Sequence, residues 1–466
     1  MRSLSPALLL VPLIACAPSR AALIDPVDTE LRSRTGLALG GADARARAAE
    51  LLARPLDADA AARVALLSRP AVQAALEELG ASGAELAAAI PLRRVELDLE
   101  VKHELDGDGA AVELAAMTDL MDLVTMPGQR GAARAELTAA RARAVRTAIE
   151  IAGEARAALV RAVAAAQLVA LRQTVVDAAD ASATLSRSLR EAGNITELEL
   201  LKEEALHEEA RLDLAAAQLD LAAARAELAA ALGLHGTAAD VRTIAELGEP
   251  PGLGPELEGD LGQLEAAVVK SSLELAELRA RAEAAAREVG LARWRSVLPE
   301  LGAGVAAERE EGHWSLGPAV SVSLPLLDWG QAGRARAWAE LRQVRELYRE
   351  RAIALRAAAR AAAQRLVAAR ERVAHLRDVL LPLRRRILEA TLLQYNAMQA
   401  SPFDLMAARQ AEAEAASRLV EALREAHLAA IEAQLLRAGA SPGPGAPAAG
   451  AAGAAAPAPA RDADDH

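Results

Sequence analysis

Aromatic side chains are almost missing from this chain. Its 466 residues hold 4 Trp, 2 Tyr and 1 Phe, although 53% of them are hydrophobic. Large globular cores draw much of their buried area from aromatic rings. The three ordinary domains that a length prior of about 150 residues per domain suggests are therefore a poor description. Cysteine is as scarce. A single Cys excludes an intramolecular disulfide and a cysteine zinc cluster. Seven scattered histidines offer no HExxH or comparable spacing, so no metal site is expected. Basic residues are in deficit: the formal charge is −12, and a nucleic-acid binder needs a basic face. Also lacking is an uncharged apolar run of about 18 residues, so no transmembrane helix is expected. The best stretch, 157–171, is interrupted by Arg161. No nucleophile–base constellation or Gly-rich phosphate loop is present, so neither catalysis nor a cofactor is expected.

What the chain has is Ala and Leu mixed with Arg and Glu, the composition of long helices and coiled coils. Its start reads as an address. Arg2 supplies a minimal positive region, and Ala7 to Ile14 is apolar apart from Pro12, as in a short secretory signal over 1–15. Leu13-Ile14-Ala15-Cys16 resembles the lipobox of bacterial lipoproteins, which implies lipidation of Cys16 and a lipidated extension over 16–50. The other reading is a plain secretory signal with a chance Cys. Ala17, rather than Asp, follows the Cys, and by analogy with enterobacterial sorting this directs the lipoprotein to the outer membrane.

The body is one pattern written twice. Val64, Leu67, Val72, Leu76, Leu79, Leu86 and Ile90 recur at helical spacing over 60–90, and Pro91 stops the run. Then Val95, Leu97, Leu99 and Val101 alternate with Glu96, Asp98, Glu100 and Lys102, which predicts a strand over about 94–104. Asp106-Gly107-Asp108-Gly109 is a turn signal. A second strand is expected at about 111–124, ended by Pro127-Gly128. From Gln129 to Arg190 a helical run of 62 residues follows, roughly 90 Å long at 1.5 Å per residue. The second copy repeats the order: a helix over 261–293, strands at about 299–309 and 314–326, then a helix from Gln331 to Asn396 with a kink expected at Pro382. Gly193 to Leu201 matches Met398 to Met406, 205 residues on. The copies are 51–247 and 261–438, joined by a Pro/Gly linker at 248–260. Residues 439–466 form an Ala/Pro/Gly tail that is expected to be disordered.

In the helix over 198–232 two series are spaced by seven: Leu198, Ala205, Leu212, Leu219 and Ala226, and Leu200, His207, Leu214, Leu221 and Leu228. They lie two residues apart, about 200° around the axis. An ordinary coiled coil needs one stripe. Two stripes mean neighbours on both sides, as for a stave in a hollow helical barrel or a helix buried in a bundle. Glu203, Arg211, Gln218, Asp220 and Arg225 are expected between the seams, towards solvent or lumen. The four strands have the length of transmembrane strands, about 9–11 residues. Four strands cannot close a barrel, and open edges are too costly in lipid. The chain is therefore expected to assemble with copies of itself, three chains giving twelve strands. All four Trp (Trp294, Trp314, Trp329 and Trp338) fall within or beside the second hairpin, and Trp294, Trp314 and Trp329 are the expected membrane-interface aromatics.

The chain over about 50–440 resembles the outer-membrane efflux protein (TolC) family. The resemblance rests on Ala65-Leu66-Leu67-Ser68-Arg69-Pro70 with Val72, on Val320-Ser321-Val322-Ser323-Leu324-Pro325-Leu326-Leu327-Asp328-Trp329-Gly330, on Ala192-Gly193-Asn194-Ile195 through Leu200-Leu201, and on Leu228 to Gly233. It implies a mainly α fold with a small β part: a duplicated helix–β-hairpin–long helix–helix unit, in a homotrimer whose 12-stranded outer-membrane β-barrel continues as a periplasmic α-helical barrel. It implies an outer-membrane exit channel, lipid-anchored and extending into the periplasm, that passively conducts substrates delivered by a periplasmic adaptor protein and an inner-membrane efflux pump. Outer-membrane lipid is its surroundings. By the same resemblance Gly193, Asn194 and Ile195, with Met398, Gln399 and Ala400, form the tips that meet the adaptor. Asp404, with Glu199 as its first-copy equivalent, forms the periplasmic gate, where crowding of three carboxylates is expected to raise their pKa; the other reading of Asp404 is an early-turn acid on its own helix. Ala407 stands where the family often has a second acid. Met398 stands where the family has Gly, so the second tip turn is expected to differ. A periplasmic coiled-coil adaptor or a structural lipoprotein is the alternative. An adaptor needs lipoyl-like β-motifs flanking one hairpin, and a tether needs no alternating strands.

Overall fold

The computed structural model describes residues 19–41, 43–89, 95–103, 110–236, 241–252, 261–297, 300–310, 313–323 and 330–441. The signal segment, Cys16, the Asp106–Gly109 turn, Trp329, most of the linker and the tail beyond 441 lie outside the described residues. The fold is mostly helical with one small antiparallel sheet, as expected. The elements are α1 (Arg20–Thr35), α2 (Ala44–Leu52), α3 (Ala58–Ser68), α4 (Pro70–Ala88), β1 (Val95–His103), β2 (Ala110–Asp119), α5 (Leu120–Glu191), α6 (Glu197–Leu232), α7 (Leu261–Ser271), α8 (Leu273–Val297), β3 (Glu300–Glu310), β4 (His313–Ser323), α9 (Gln331–His375), α10 (Leu381–Asn396) and α11 (Pro402–Ala438). A five-residue π-helical turn, Leu376–Leu380, joins α9 to α10.

Several boundaries differ from the sequence expectation, each for a local reason. The 16–50 extension contains α1, whose Leu23, Val27 and Leu31 recur every fourth residue and are buried. Ser19 caps its start, and Gly36, at φ 70°, ends it. The expected helix over 60–90 is two helices. Arg69 precedes a proline and takes an extended conformation, which breaks the run between α3 and α4. The second strand stops at Asp119, five residues early. The Asp119 carboxylate accepts the Met121 N–H at 2.8 Å and starts α5, so Pro127-Gly128 lies inside a helix instead of ending a strand. A Cβ on Gly128 would stand 2.6 Å from Leu291 of α8, so that glycine is a contact point. The 261–293 helix is split at Ser272, whose hydroxyl accepts the Leu275 N–H at 3.2 Å. At Pro382 the expected kink takes the form of the π turn just before it. A widened turn accommodates the ring and its missing N–H. Residues 51–52, which open the first expected copy, belong to α2.

The chain divides into two compact units. One comprises Met1–Ala38, Ala71–Thr147 and Ser272–Ala354 and holds the sheet, ordered β1-β2-β3-β4 with every pair antiparallel. Its helices are fastened by a charge cluster. Glu277 of α8 is buried and accepts from Arg143 at 3.0 Å, Arg146 at 3.5 Å and Arg281 at 2.9 Å, while Arg143 also pairs with Glu78 of α4. The other unit comprises Leu39–Pro70, Ala148–Ser271 and Leu355–His466. There α9 and the π turn pack on α11 through Leu366, Val373 and Leu376 against Ala422, Ala426, Ala429, Ala430 and Ala433. Alanines let the helix axes come close, which is how a chain with so few rings fills a core. Gly153 of α5 serves the same purpose, since a Cβ there would stand 2.6 Å from Leu435. By length and composition α5 does contain a stretch apolar enough to cross a membrane, with mean hydropathy 1.4 over 18 residues, although no uncharged run of that length was expected. Only 28% of that stretch is buried within the chain.

Removing the carboxylate of Glu277 leaves two half-buried guanidinium groups without their shared acceptor. Glu277→Ala is expected to destabilise its unit by about 3 kcal/mol and lower the thermal unfolding midpoint. Glu283→Ala, on an exposed position of the same helix, should stay within about 0.5 kcal/mol. Equal midpoints for the two variants would show that the cluster contributes nothing.

Candidate functional site

The sheet has two chemically opposite faces. Strand alternation places Leu97, Leu99 and Val101 on the same side as Val112, Leu114 and Ala116 of β2, because Leu99 pairs with Leu114 and Val101 with Val112. The register continues through Leu114 with Ala307 and Ala116 with Val305, then Ala307 with Leu316, Ala303 with Val320 and Leu301 with Val322. One face is thus apolar across all four strands. Among the described residues nothing covers it at its ends: Leu97 is 71% exposed and Leu316 78%. The other face carries Glu96, Asp98, Glu100, Glu113, Glu308, Ser315 and Ser321. The register brings Glu100 opposite Glu113, and Glu113 opposite Glu308, in one row. Directly opposed like charges destabilise a sheet, and Glu100 and Glu113 each engage another group. Sequence reading could find the alternation but not this row, which depends on pairing between strands distant in the chain.

The expected interface aromatics divide. Trp314 lies on β4 at the edge of the apolar face and is exposed. Its cross-strand partner Arg309 holds its guanidinium 6.0 Å from the ring centroid. An aromatic–arginine pair at the rim of an apolar band suits a lipid–water boundary. Trp294 is on α8 and Trp338 on α9, both exposed and both on helices that adjoin the strands in sequence. Trp329 lies outside the described residues.

The matched segments at 193–201 and 398–406 are the turns between α5 and α6 and between α10 and α11. Their backbones are alike. Gly193 N–H donates to Arg190 C=O at 2.9 Å and Asn194 N–H to Leu189 C=O at 2.8 Å. Met398 N–H donates to Tyr395 C=O at 2.9 Å and Gln399 N–H to Gln394 C=O at 2.8 Å. Both are Schellman endings. Gly193 has φ 75°, and Met398 takes the same left-handed conformation at φ 60°. The expectation that Met398 changes the turn is therefore corrected. The bonds hold the backbone, and the side chain bears a strain of roughly 1 kcal/mol. Asn194, Gln399 and Met398 are exposed, with Ile195 and Ala400 half-buried beside them. Each following helix opens with a capping box. The Glu199 carboxylate accepts the Thr196 N–H at 2.7 Å, and the Asp404 carboxylate accepts the Ser401 N–H at 2.9 Å and the Ser401 hydroxyl at 2.7 Å. The Ser401 hydroxyl bond, then the backbone bond, holds Asp404 below the ordinary carboxylate range. The Thr196 backbone bond does so for Glu199. Within one chain the direction is thus opposite to the rise expected from crowding.

Of the two seams on α6, one is used. Leu200, His207, Leu214 and Leu221 are half-buried and Leu228 is buried, along the side where Arg172 pairs with Asp213, Arg187 with Glu204 and Arg161 with Glu227, all joining α5 to α6. The other seam, Leu198, Ala205, Leu212, Leu219 and Ala226, is exposed, Leu219 by 72%. Glu203 departs from the expected solvent or lumen face: it accepts the Ser182 hydroxyl of α5 at 2.7 Å. Arg211 remains exposed and pairs with Glu208.

Comparison with protein-family profiles and with curated sequences yields no match. Solved structures do match. The outer membrane protein VceC of Vibrio cholerae aligns with a TM-score of 0.65 at 16% identity, over 91% of this chain and 100% of that one. The open state of the Neisseria gonorrhoeae MtrE outer membrane channel aligns with a TM-score of 0.66 at 16% identity, over 85% and 90%. The Campylobacter jejuni CmeC outer membrane channel gives 0.65 at 13% identity, over 92% and 89%. This chain has the fold of these outer-membrane channels.

The capping boxes make a pH prediction. A carboxylate whose folded pKa lies below its unfolded value stabilises the fold above the unfolded value, and that stabilisation is lost as pH falls through the folded one. Carboxyl-carbon NMR of the aspartate-labelled chain should show Asp404 titrating below 3.8, and first-turn amides of α11 should lose protection as it protonates. Asp404→Ala should show the loss already at neutral pH. A midpoint above 3.8 would mean that crowding by other carboxylates outweighs the cap.

Proposed function

We propose that this chain is an outer-membrane exit channel of the TolC family, acting in a tripartite efflux or secretion system. The observation that carries the reading is the sheet, with one exposed apolar face, one acidic face and, among the described residues, two edge strands without a further strand beside them. Water disfavours the apolar face, and lipid disfavours the edges. Closing the sheet with two further copies satisfies both requirements: lipid receives the apolar band, and the acidic rows line an aqueous lumen. Twelve strands in a homotrimer follow from four per chain. The uncovered seam of α6 and the half-buried apolar stretch of α5 support the same assembly for the helices, a periplasmic barrel with each copy covering its neighbour. The 51–247 and 261–438 repeats supply the duplicated staves.

The channel conducts passively, and the energy comes from an inner-membrane pump linked through a periplasmic adaptor. The tips at Gly193, Asn194 and Ile195 and at Met398, Gln399 and Ala400 meet that adaptor. Asp404 and Glu199 form the periplasmic gate, where ionised carboxylates favour cations over anions. Acylated Cys16 anchors the mature chain to the outer membrane. Each buried CH₂ of the acyl chains contributes about 0.8 kcal/mol.

Light scattering of the purified mature chain in detergent should give a trimer, and planar bilayers should show cation-preferring channels. Leu212→Glu with Leu219→Glu, which places charge on the uncovered seam, should yield monomers and abolish conductance. Asp404→Ala should keep the trimer but reduce cation preference. A wild-type chain that remains monomeric, or never conducts, would reject the channel reading. The anchor is tested separately. Intact mass of the mature chain should show acylation at Cys16, and Cys16→Ala should remove it and weaken membrane retention. A wild-type mass without acyl chains would reject lipidation.

A further inference from the structure

The apolar face of the sheet is not uniform along its strands. Alternation from the paired residues puts no Asp, Glu or Lys on it among the described strand residues, and a single arginine, Arg309 of β3. Arg309 is exposed, and its partners across the strands are Val112 and Trp314. Its guanidinium lies 6.0 Å from the Trp314 ring centroid, and Trp314 is 60% exposed. A guanidinium stays charged and carries its N–H donors in a planar fork. A ring contact stabilises that charge but takes up none of the fork's ordinary hydrogen bonds. Position along the strand matters as well. Arg309 stands eight residues along β3 from Leu301, roughly 27 Å at 3.4 Å each. A tilt of about 40° reduces the height to about 20 Å, and the apolar band of a transmembrane barrel is about 25 Å tall. Leu301 and Arg309 thus stand near opposite rims. The rim at Leu301 carries Val95, Thr118 and Val322, none of them charged. All four strands adjoin helices at that end: α4 leads into β1, β2 into α5, α8 into β3 and β4 into α9. The cation is confined to the rim away from those junctions.

Resting on the exit-channel reading, which puts the helices in the periplasm, we propose that Arg309 and Trp314 form a headgroup site for a phosphorylated glycolipid of the outer leaflet, one site per copy. The guanidinium donates parallel N–H bonds to phosphate oxygens, a match of fork to anion that a sugar hydroxyl cannot reproduce. The indole stays at the level of the headgroups and holds the guanidinium through its ring. Surroundings of low dielectric strengthen the charge-assisted bond, and the next row down the face is Leu114, Ala307 and Leu316. A glycerophospholipid of the inner leaflet would meet the opposite, uncharged rim. A second copy is also a poorer occupant. Arg309 lies on the inner strand β3, and β4 with Trp314 stands between it and the edge at which another sheet would add.

The test is native mass spectrometry of the mature chain in detergent with added lipid A, an acylated disaccharide phosphate, beside dephosphorylated lipid A and phosphatidylglycerol. Wild type should bind lipid A at one molecule per copy, at least about tenfold more tightly than either comparison lipid. Arg309→Gln should remove that preference, and Trp314→Leu should weaken it severalfold. Arg309→Lys keeps the charge but loses the fork, so it should fall between wild type and Arg309→Gln. Glu308→Gln, on the opposite face of the same strand, should bind like wild type. Unchanged lipid A affinity for Arg309→Gln, equal affinity for dephosphorylated lipid A, or equal affinity for phosphatidylglycerol would each overturn the proposal. Arg309→Gln should conduct in planar bilayers like wild type, which separates a lost headgroup site from a lost channel. Wild-type protein that never conducts would overturn the exit-channel reading instead.

Discussion

A sheet with an uncovered apolar face and two free edges cannot be at rest in any single solvent. Water leaves the leucines and valines of β1 and β4 exposed, at about 25 cal/mol per Å² of apolar surface. Lipid leaves the outer N–H and C=O groups of β1 and β4 unpaired, at several kcal/mol each. The remaining architecture answers that conflict. The opposite face carries Glu96, Asp98, Glu100, Glu113 and Glu308, residue types that the interior of a sandwich disfavours. Closure through copies, with lipid outside and water inside, is the arrangement proposed above to satisfy both faces. The helices show the same incompleteness in another form, since α6 uses one of its two seams within the chain.

Much of this was legible because both periods were strong. Alternation from Val95 to Val101 located β1 within a residue at each end, alternation from Trp314 located the start of β4 within one residue, and sevenfold spacing along α6 located the seam that packs on α5. The failures have a common physical origin. Where two elements abut without a turn residue, periodicity alone does not say which conformation wins. At Asp119 a single side-chain acceptor for the Met121 N–H decides for helix, and the strand ends before its pattern does. The first helix was missed because its apolar positions, Leu23, Val27 and Leu31, are thinly spaced and interrupted by Pro26. The facing of Glu100, Glu113 and Glu308 was invisible because register between distant strands is not written in either strand alone.

The helix breaks follow a simpler rule. Arg69 yields to Pro70, the junction at Ser272 is capped by its own hydroxyl, and Pro382 is absorbed by a widened turn. In the last case the helix continues. The chain needs a long rod there but cannot supply a hydrogen bond at every step, so it redistributes the defect over the π turn. Around that turn Arg377 pairs with Asp378 and with Glu249 of the linker segment, and His427 of α11 meets the Gly248 carbonyl at 2.9 Å. The irregular turn is thereby tied to the segment at residues 248–249.

The tips separate what a backbone requires from what a surface is for. Two Schellman endings and two capping boxes, 205 residues apart, repeat the same hydrogen bonds. Repetition at that level is expected wherever two antiparallel helices must turn tightly, because few backbone solutions exist. The side chains on that backbone are free to diverge, and they do. One turn uses glycine among charges, and the other forces a methionine into a left-handed conformation amid an uncharged stretch. Turn geometry cannot be the reason for the second choice, because the first turn achieves it without strain. Stability cannot be the reason either, since the side chain is almost wholly exposed. A residue that serves neither the turn nor the core presents its side chain to whatever surrounds the tip, and here that side chain is uncharged and unbranched.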